Sequence, residues 1–304
     1  MKLTNIHNLP EPFVDLVTFD NYSKGKSDFT TTEIIGPPKA NILRRRHDDE
    51  LEEDVCMRVW AMSGSAKHYL LEQIAHGKPE RYIAEDRMYK EVHGKILGGM
   101  IDLYDKLECV LYDYKETKVW KVTKGDTTDW TAQANINLWL MRGAGYQVNE
   151  VRYIAFLKDW TDRDTGREGY PQTPLVVVPL EIWPEAKTKA YIEERVRLHM
   201  NFREVPDDSI PACSKDERWE GDGYFIVKHE ENKRATKKFP NDEFPLLSEA
   251  KMRAQTLASE MNRKKKGYEV LEVTAEPTRC LRYCPANRFC AFFQAYQKNH
   301  QIAE

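Results

Sequence analysis

The stretch Gly98-Gly-Met-Ile-Asp-Leu-Tyr-Asp-Lys-Leu-Glu-Cys-Val-Leu-Tyr-Asp-Tyr-Lys115 constrains the chain more than any other, because it reads as a β-hairpin carrying two carboxylates and one ammonium on a single face. With strands from Gly99 to Tyr104 and from Cys109 to Lys115 around a turn Asp105 to Glu108, Tyr104 faces Cys109 and Asp102 faces Leu111. Side chains alternate along a strand, so Asp113 and Lys115 join Asp102 while Tyr112 and Tyr114 point the other way. Three inward charges would be costly if merely buried. A divalent cation removes that cost: two carboxylates suit magnesium or manganese, which keep waters and share their coordination with substrate phosphate. Lys115 then stands beside a metal-bound water, placed to orient it and to balance charge in a phosphoryl transition state.

Upstream, Met62-Ser-Gly-Ser-Ala-Lys-His-Tyr-Leu-Leu-Glu-Gln73 reads as a helix capped by Ser63 or Ser65, with Tyr69, Leu70 and Ile74 facing a core and His68 in its first turns. Gly64 to His68, then Gly99 to Asp102, then Asp113 to Lys115 stand in an order and spacing that resembles the RecB-like branch of the PD-(D/E)XK nucleases. The resemblance implies that His68, Asp102 and Asp113 bind metal, with the Tyr114 backbone carbonyl completing the shell, and that Lys115 is catalytic. It also implies an accessory glutamate on the preceding strand, for which Glu85 is the candidate and Glu91 the alternative. A further family element is Gln-x-x-x-Tyr on a later helix. Gln133 stands at the expected place on a helix from Asp129 to Arg142, but position 137 is asparagine, which departs from the pattern.

The six cysteines do not form a secreted disulfide framework. Cys280, Cys284 and Cys290 lie within eleven positions, and Cys213 stands apart in Ile-Pro-Ala-Cys-Ser-Lys-Asp-Glu-Arg-Trp. Four thiolates so gathered suit a soft metal or an iron-sulfur cluster, and spacing alone does not separate zinc from iron. The trio around Tyr-Cys-Pro resembles that of the AddB and CRISPR-associated RecB-type nucleases, which implies a four-iron four-sulfur cluster, with zinc as the alternative. In those relatives the distant cysteine precedes the catalytic core. Here Cys213 follows it, as in phage-encoded members with a Pro-x-Cys-x-x-x-Glu-Arg-Trp segment, and suggests a viral or prophage origin. Cys56 is the competing fourth ligand, but its neighbours Val55, Met57, Val59 and Trp60 make it read as a small buried hydrophobe. Cys109 reads as a packing residue.

With 304 residues and 41% hydrophobic content, the chain can bury one substantial core with an appended subdomain. No apolar run reaches the roughly 18 residues a membrane span needs, and the N-terminus lacks a signal-peptide core, so the expected location is cytoplasmic, in a bacterial host if phage-encoded. A net charge of -3 is not that of a DNA-coating protein. Basic residues are nonetheless clumped at Arg44 to Arg46, at Lys233-Arg234 with Lys237-Lys238, and from Arg263 to Lys266, and such clumps can neutralise phosphates locally.

The expected fold is α/β. A polar N-terminal segment (1–30) leads into a restriction-endonuclease-like core (31–205), a mixed sheet flanked by helices. A small cysteine-clasped α+β region follows (206–304). Strands are expected near Ile83 to Val92, Ile96 to Tyr104, Val110 to Val119, Glu150 to Trp160 and Pro174 to Trp183, and a helix from Pro184 to about Phe202. Between Cys213 and Cys280 the pattern predicts a hairpin (Tyr224 to His229, Arg234 to Phe239), a helix from Leu247 to Lys265 and a strand from Tyr268 to Thr274, so that shared ligation closes a loop of about 66 residues. The resemblance implies a magnesium- or manganese-dependent deoxyribonuclease acting as an exonuclease on single-stranded DNA or DNA ends, since no base-reading module is evident. The alternative is a catalytically silent nucleic-acid-binding accessory protein on the same fold.

Overall fold

A tight turn sets the central sheet. His93 and Gly94 both adopt positive φ (51° and 69°), the two-residue geometry that matches strand twist, and they join β4 (Tyr82–Val92) to β5 (Lys95–Asp105) in the longest antiparallel pair of the chain. The computed structural model describes residues 1–19, 23–240, 243–244 and 246–300. The chain divides into two compact units, Met1–Pro206 and Asp207–Glu304.

In the first unit, β1 (Lys2–Thr4) pairs in parallel with β3 (Glu52–Asp54), and α1 (Glu11–Thr18) follows β1. The polar opening thus holds regular elements, including β2 (Phe29–Thr30), which enters the main sheet. After it come α2 (Thr31–Ile35), α3 (Pro38–Arg46), α4 (Val59–His76), β6 (Val110–Thr117), α5 (Val119–Thr123), α6 (Thr128–Gly143), β7 (Glu150–Leu157), β8 (Leu175–Leu180) and α7 (Glu185–Asn201). The mixed sheet runs β2-β5-β6-β7-β8, with β4 on β5. The parallel β6–β7 pair is joined through α6, the crossover that parallel strands require.

Eleven of the sixteen residues of α6 are buried, polar Thr131, Asn135 and Asn137 among them. Its two buried asparagines are bonded. Asn135 donates to Thr131 O and Glu181 O, both at 2.8 Å, and accepts from Trp183 N at 2.7 Å. Asn137 accepts from Thr31 Oγ1 at 2.9 Å and donates to Met100 O at 3.2 Å. Gly99 lets α6 approach β5: a Cβ there would lie 2.4 Å from Asn137 Oδ1 and 2.7 Å from Leu140 Cδ1. Asn137, where the family pattern has tyrosine, thus packs its amide against Gly99 and bonds both α2 and β5.

Helix α4 departs from expectation. It begins at Val59, extended backwards by a 3-10 turn over Val55–Arg58 that Asp54 caps through Cys56 N. Ser63 and Ser65 therefore lie inside the helix, and Ser63 Oγ instead bonds Glu116 at 3.0 Å. Tyr69, Leu70 and Ile74 are exposed rather than core-facing, as are Met57 and Trp60, so Cys56 is half-buried beside open apolar residues. The basic run of α3 serves packing: Arg45 pairs with Glu33, and Arg46 donates to Phe202 O at 3.4 Å.

In the second unit, β9 (Tyr224–His229) lies between β10 (Lys237–Phe239) and β11 (Tyr268–Val273), all antiparallel. Helix α8 (Leu247–Lys264) covers this sheet with Ala250, Ala254 and Ala258 against Phe225, Val227 and Phe239. Helices α9 (Thr278–Arg282) and α10 (Ala291–His300) complete the unit. No helix among the described residues is long and apolar enough to cross a membrane.

Candidate active site

The β5–β6 register differs from the sequence expectation by two residues. Tyr104 pairs with Leu111 and Leu103 with Tyr112, because the four-residue turn lies one position later, from Lys106 to Cys109, where Cys109 takes a positive φ of 56°. A shift of two preserves parity, and extending the same register sets Asp102 against Asp113 instead of Leu111. The ladder stops at Leu103–Tyr112. Beyond it, the Asp102 carboxylate takes the place of a backbone acceptor: Tyr114 N donates to Asp102 Oδ2 at 2.9 Å.

Around this opening the first unit gathers His68, Glu85, Asp102, Asp113, Tyr114, Lys115 and Gln133. His68, from α4, donates through Nδ1 to Glu85 Oε1 at 2.7 Å and holds Nε2 3.8 Å from Asp102 Oδ2. Its ring stands edge-on to Tyr114, 5.6 Å between centroids. Glu85 adopts φ 47°, opposite Asp102 on the neighbouring strand. A non-glycine residue in the left-handed region costs on the order of 1–3 kcal/mol and persists where its surroundings over-determine it. Ligand atoms of His68, Glu85 and Asp102 lie within 4.8 Å of one another. Glu91, the alternative acid, lies six residues further along β4, paired with Ile96.

Asp113 forms the other side. It accepts from Gln133 Nε2 at 3.0 Å through Oδ1, and Lys115 Nζ lies 2.7 Å from Oδ2. Oδ2 and the hydroxyl of Tyr153, its register partner on β7, are buried without a hydrogen-bond partner of regular geometry. Burial and the Asp102 charge push the Asp113 carboxyl up to about 7, against the pull of Lys115. Burial likewise raises Asp102, opposed by Lys115 and His68. For Lys115, burial works downward but the two aspartates more than offset it, so the ammonium is held. His68 behaves similarly: burial lowers it, and Glu85 with the aspartates carries it above the usual value.

Two nearly dry carboxylates, one ion-paired to Lys115, beside a half-buried His–Glu pair make a donor set of oxygens and one imidazole. Such a set fits a hard or borderline divalent cation, manganese or magnesium, which would supply the positive charge that one lysine leaves short. Ser63, Lys67 and Glu116 were not apparent in the sequence as neighbours of this site. Lys67 Nζ bonds Glu116 Oε2 at 2.8 Å, which fixes α4, and with it His68, to the end of β6. Only the i,i+4 relation of Ser63 and Lys67 hinted at a shared face.

In the second unit Cys213, Cys280, Cys284 and Cys290 are all free thiols. Burial, Glu217 and the charges of the other three cysteines push Cys213 up to about 12, while burial and its cysteine neighbours push Cys280 to about 11. Arg218 joins the distant cysteine to the trio. Its guanidinium donates to Cys213 O and its own carbonyl accepts from Arg279 N at 2.9 Å. Asn287 Nδ2 donates to Cys280 O at 2.8 Å, and Cys284 N donates to Arg279 O at 2.9 Å. Four thiols with mutually unfavourable charge fit a thiophilic metal or cluster. Cys56 belongs to the first unit, beside Asp54 and His7. Cys109 is a half-buried turn residue whose Sγ lies 3.7 Å from Lys106 O.

No family model and no curated protein matches the chain. Among solved structures it is similar to one described as "Crystal structure of SSO0001", at a TM-score of 0.41 and 14% identity, covering 61% of this chain and 82% of that one.

Proposed function

We propose that the first unit is a manganese- or magnesium-dependent nuclease core of the RecB-like PD-(D/E)XK type, and that the protein hydrolyses DNA phosphodiester bonds as an exonuclease. The observation that supports this reading is the convergence of His68, Glu85, Asp102, Asp113 and Lys115 on the point where β5 and β6 part. DNA binding alone requires no buried acid pair with a lysine. A bound divalent ion would supply an activated water and charge for the scissile phosphate.

The residues divide the work. Asp102 and Asp113, with His68 and Glu85, would hold the cation, and Tyr114 N fixes the Asp102 carboxylate in orientation. Lys115, kept protonated by the aspartates, would steer the attacking water and offset charge on the phosphoryl oxygens. Gln133 orients Asp113 from α6. In the second unit Cys213, Cys280, Cys284 and Cys290 would hold a four-iron four-sulfur cluster, or zinc, as a clasp on the fold with no catalytic role.

The test is incubation with linear and circular, single- and double-stranded DNA, with and without manganese, comparing the wild type with Lys115→Ala. The variant should keep manganese and DNA affinity and lose cleavage by at least about 100-fold. Wild-type turnover by Lys115→Ala would refute the mechanism. Absence of cleavage on every substrate would favour the silent accessory reading.

A further inference from the structure

Two exposed tryptophans flank the end of β6, immediately past the candidate catalytic lysine. Trp60, at the start of α4, is 57% exposed, and Trp120, on α5, is 54% exposed. Tryptophan is highly buried on average, so two open indoles beside one site need a cause. They are tied to a single piece of structure. Lys158 Nζ lies over the Trp60 ring, 4.5 Å from its centroid, and Lys158 N donates to Thr117 O at 2.9 Å. Thr117 ends β6, three residues before Trp120, and Val119 N donates to Asp159 Oδ1 at 2.7 Å. The Ser63 and Lys67 bonds to Glu116 hold α4 on the same strand end. Along β6, Thr117 lies two residues from Lys115, about 7 Å.

Lysines slightly outnumber acids around these rings. Lys118, Lys124 and Lys158 are exposed, Lys121 lies 2.8 Å from Asp129 and 3.7 Å from Asp126, and Asp159 accepts from Val119 N. Exposed indoles beside lysines suit a ligand with a π-face at every step and a phosphate between steps, which is an unpaired nucleic-acid strand. A duplex keeps its base faces stacked inside and could offer the indoles only its backbone.

We infer that Trp60 and Trp120, together with Lys158, form a stacking platform that guides single-stranded DNA toward the site at Lys115. This rests on the nuclease reading for its direction of travel, though not for binding itself. The platform selects a single strand over duplex, and it positions substrate without touching the reacting phosphate.

The test uses the full chain and a fluorescein-labelled dT oligonucleotide of about 20 nucleotides, read by anisotropy in EDTA so that no cleavage occurs, with a duplex of equal length alongside. Trp60→Ala and Trp120→Ala should each weaken dT binding by about 5- to 150-fold and leave the weaker duplex binding unchanged. Trp60→Phe should restore most of the loss, and Lys158→Ala should flatten the salt dependence of log K by about 0.7. Unchanged unfolding temperatures establish that the variants are folded, as substitutions at open positions should be. Wild-type dT affinity in both alanine variants, or failure of the wild type to bind dT, overturns the proposal. Binding with the expected losses but no cleavage in manganese leaves the platform standing and removes the nuclease reading. Cleavage in manganese with no effect of either tryptophan does the reverse.

Discussion

Tyr114 N donates to Asp102 Oδ2 at 2.9 Å where the β5–β6 ladder has ended, so a side chain replaces the backbone acceptor at the residue before Lys115. This one bond opens the sheet and sets the angle of a candidate ligand. Asp102→Asn keeps an amide oxygen for Tyr114 and removes the charge. The variant should fold with an unfolding temperature near that of the wild type, while manganese affinity in calorimetry falls by at least about 10- to 100-fold. Equal affinity would exclude Asp102 as a ligand.

Proton linkage gives a second outcome. Burial and the Asp102 charge hold the metal-free Asp113 carboxyl near 7, and burial offset by Glu85 and the aspartates keeps His68 above its usual value. A cation needs both groups deprotonated. Its affinity should therefore rise by about tenfold or more per pH unit below 7 and flatten above the higher of the two values. Titration calorimetry in buffers of different ionisation enthalpy should show protons released at pH 6 and few at pH 9. A pH-independent affinity would place the cation elsewhere.

The cysteine quartet depends on one side chain that is not a ligand. Arg218 donates to Cys213 O, pairs with Glu220 at 2.6 Å and covers the Phe292 ring at 4.2 Å. Arg218→Ala should release the Cys213 segment and cut bound metal affinity by about 10- to 100-fold, measured as iron or zinc per chain together with visible absorption after anaerobic purification. Arg218→Lys lacks the fork and should not rescue it. Cys56→Ser should leave metal content at the wild-type level, and loss of metal there would move the fourth ligand to the first unit.

Much of this arrangement was legible in local pattern. Period-two alternation and turn residues located β4 to β8, and the apolar positions Trp130, Ile136, Leu138 and Leu140 located the helix α6, though not the burial of its asparagines. Parity survived a register error because the error was two residues. What local pattern does not encode is where a ladder stops: Asp102 in place of a backbone acceptor, and Glu85 in the left-handed region, are set by neighbouring strands. The exposure of Tyr69, Leu70 and Ile74 was equally hidden, since an apolar face at helical spacing reads the same whether or not the fold covers it. Sequence pattern likewise does not show that Asn137 spends its amide on Thr31 and Met100 beside Gly99.

His199 links the fold to acid stability without involving the candidate site. Its ring is 1% exposed on α7, Nε2 donates to Gly36 O at 3.3 Å, and Phe29 meets its edge at 5.9 Å. Burial, helped by the Arg195 charge, lowers the imidazole to about 4 from 6.5. The folded form thus resists a proton that the unfolded chain accepts. The contribution is present above pH 6.5, declines as pH falls through the window from 6.5 to 4, and is lost below it. Its size is on the order of 3 kcal/mol. His199→Gln can still donate to Gly36 O but has nothing to protonate. It should be less stable than the wild type at pH 8 because the ring packing is gone. Its stability should nevertheless fall less between pH 6.5 and 4 in urea titrations. Parallel decline of the two proteins across that window would show that His199 is not the group that titrates.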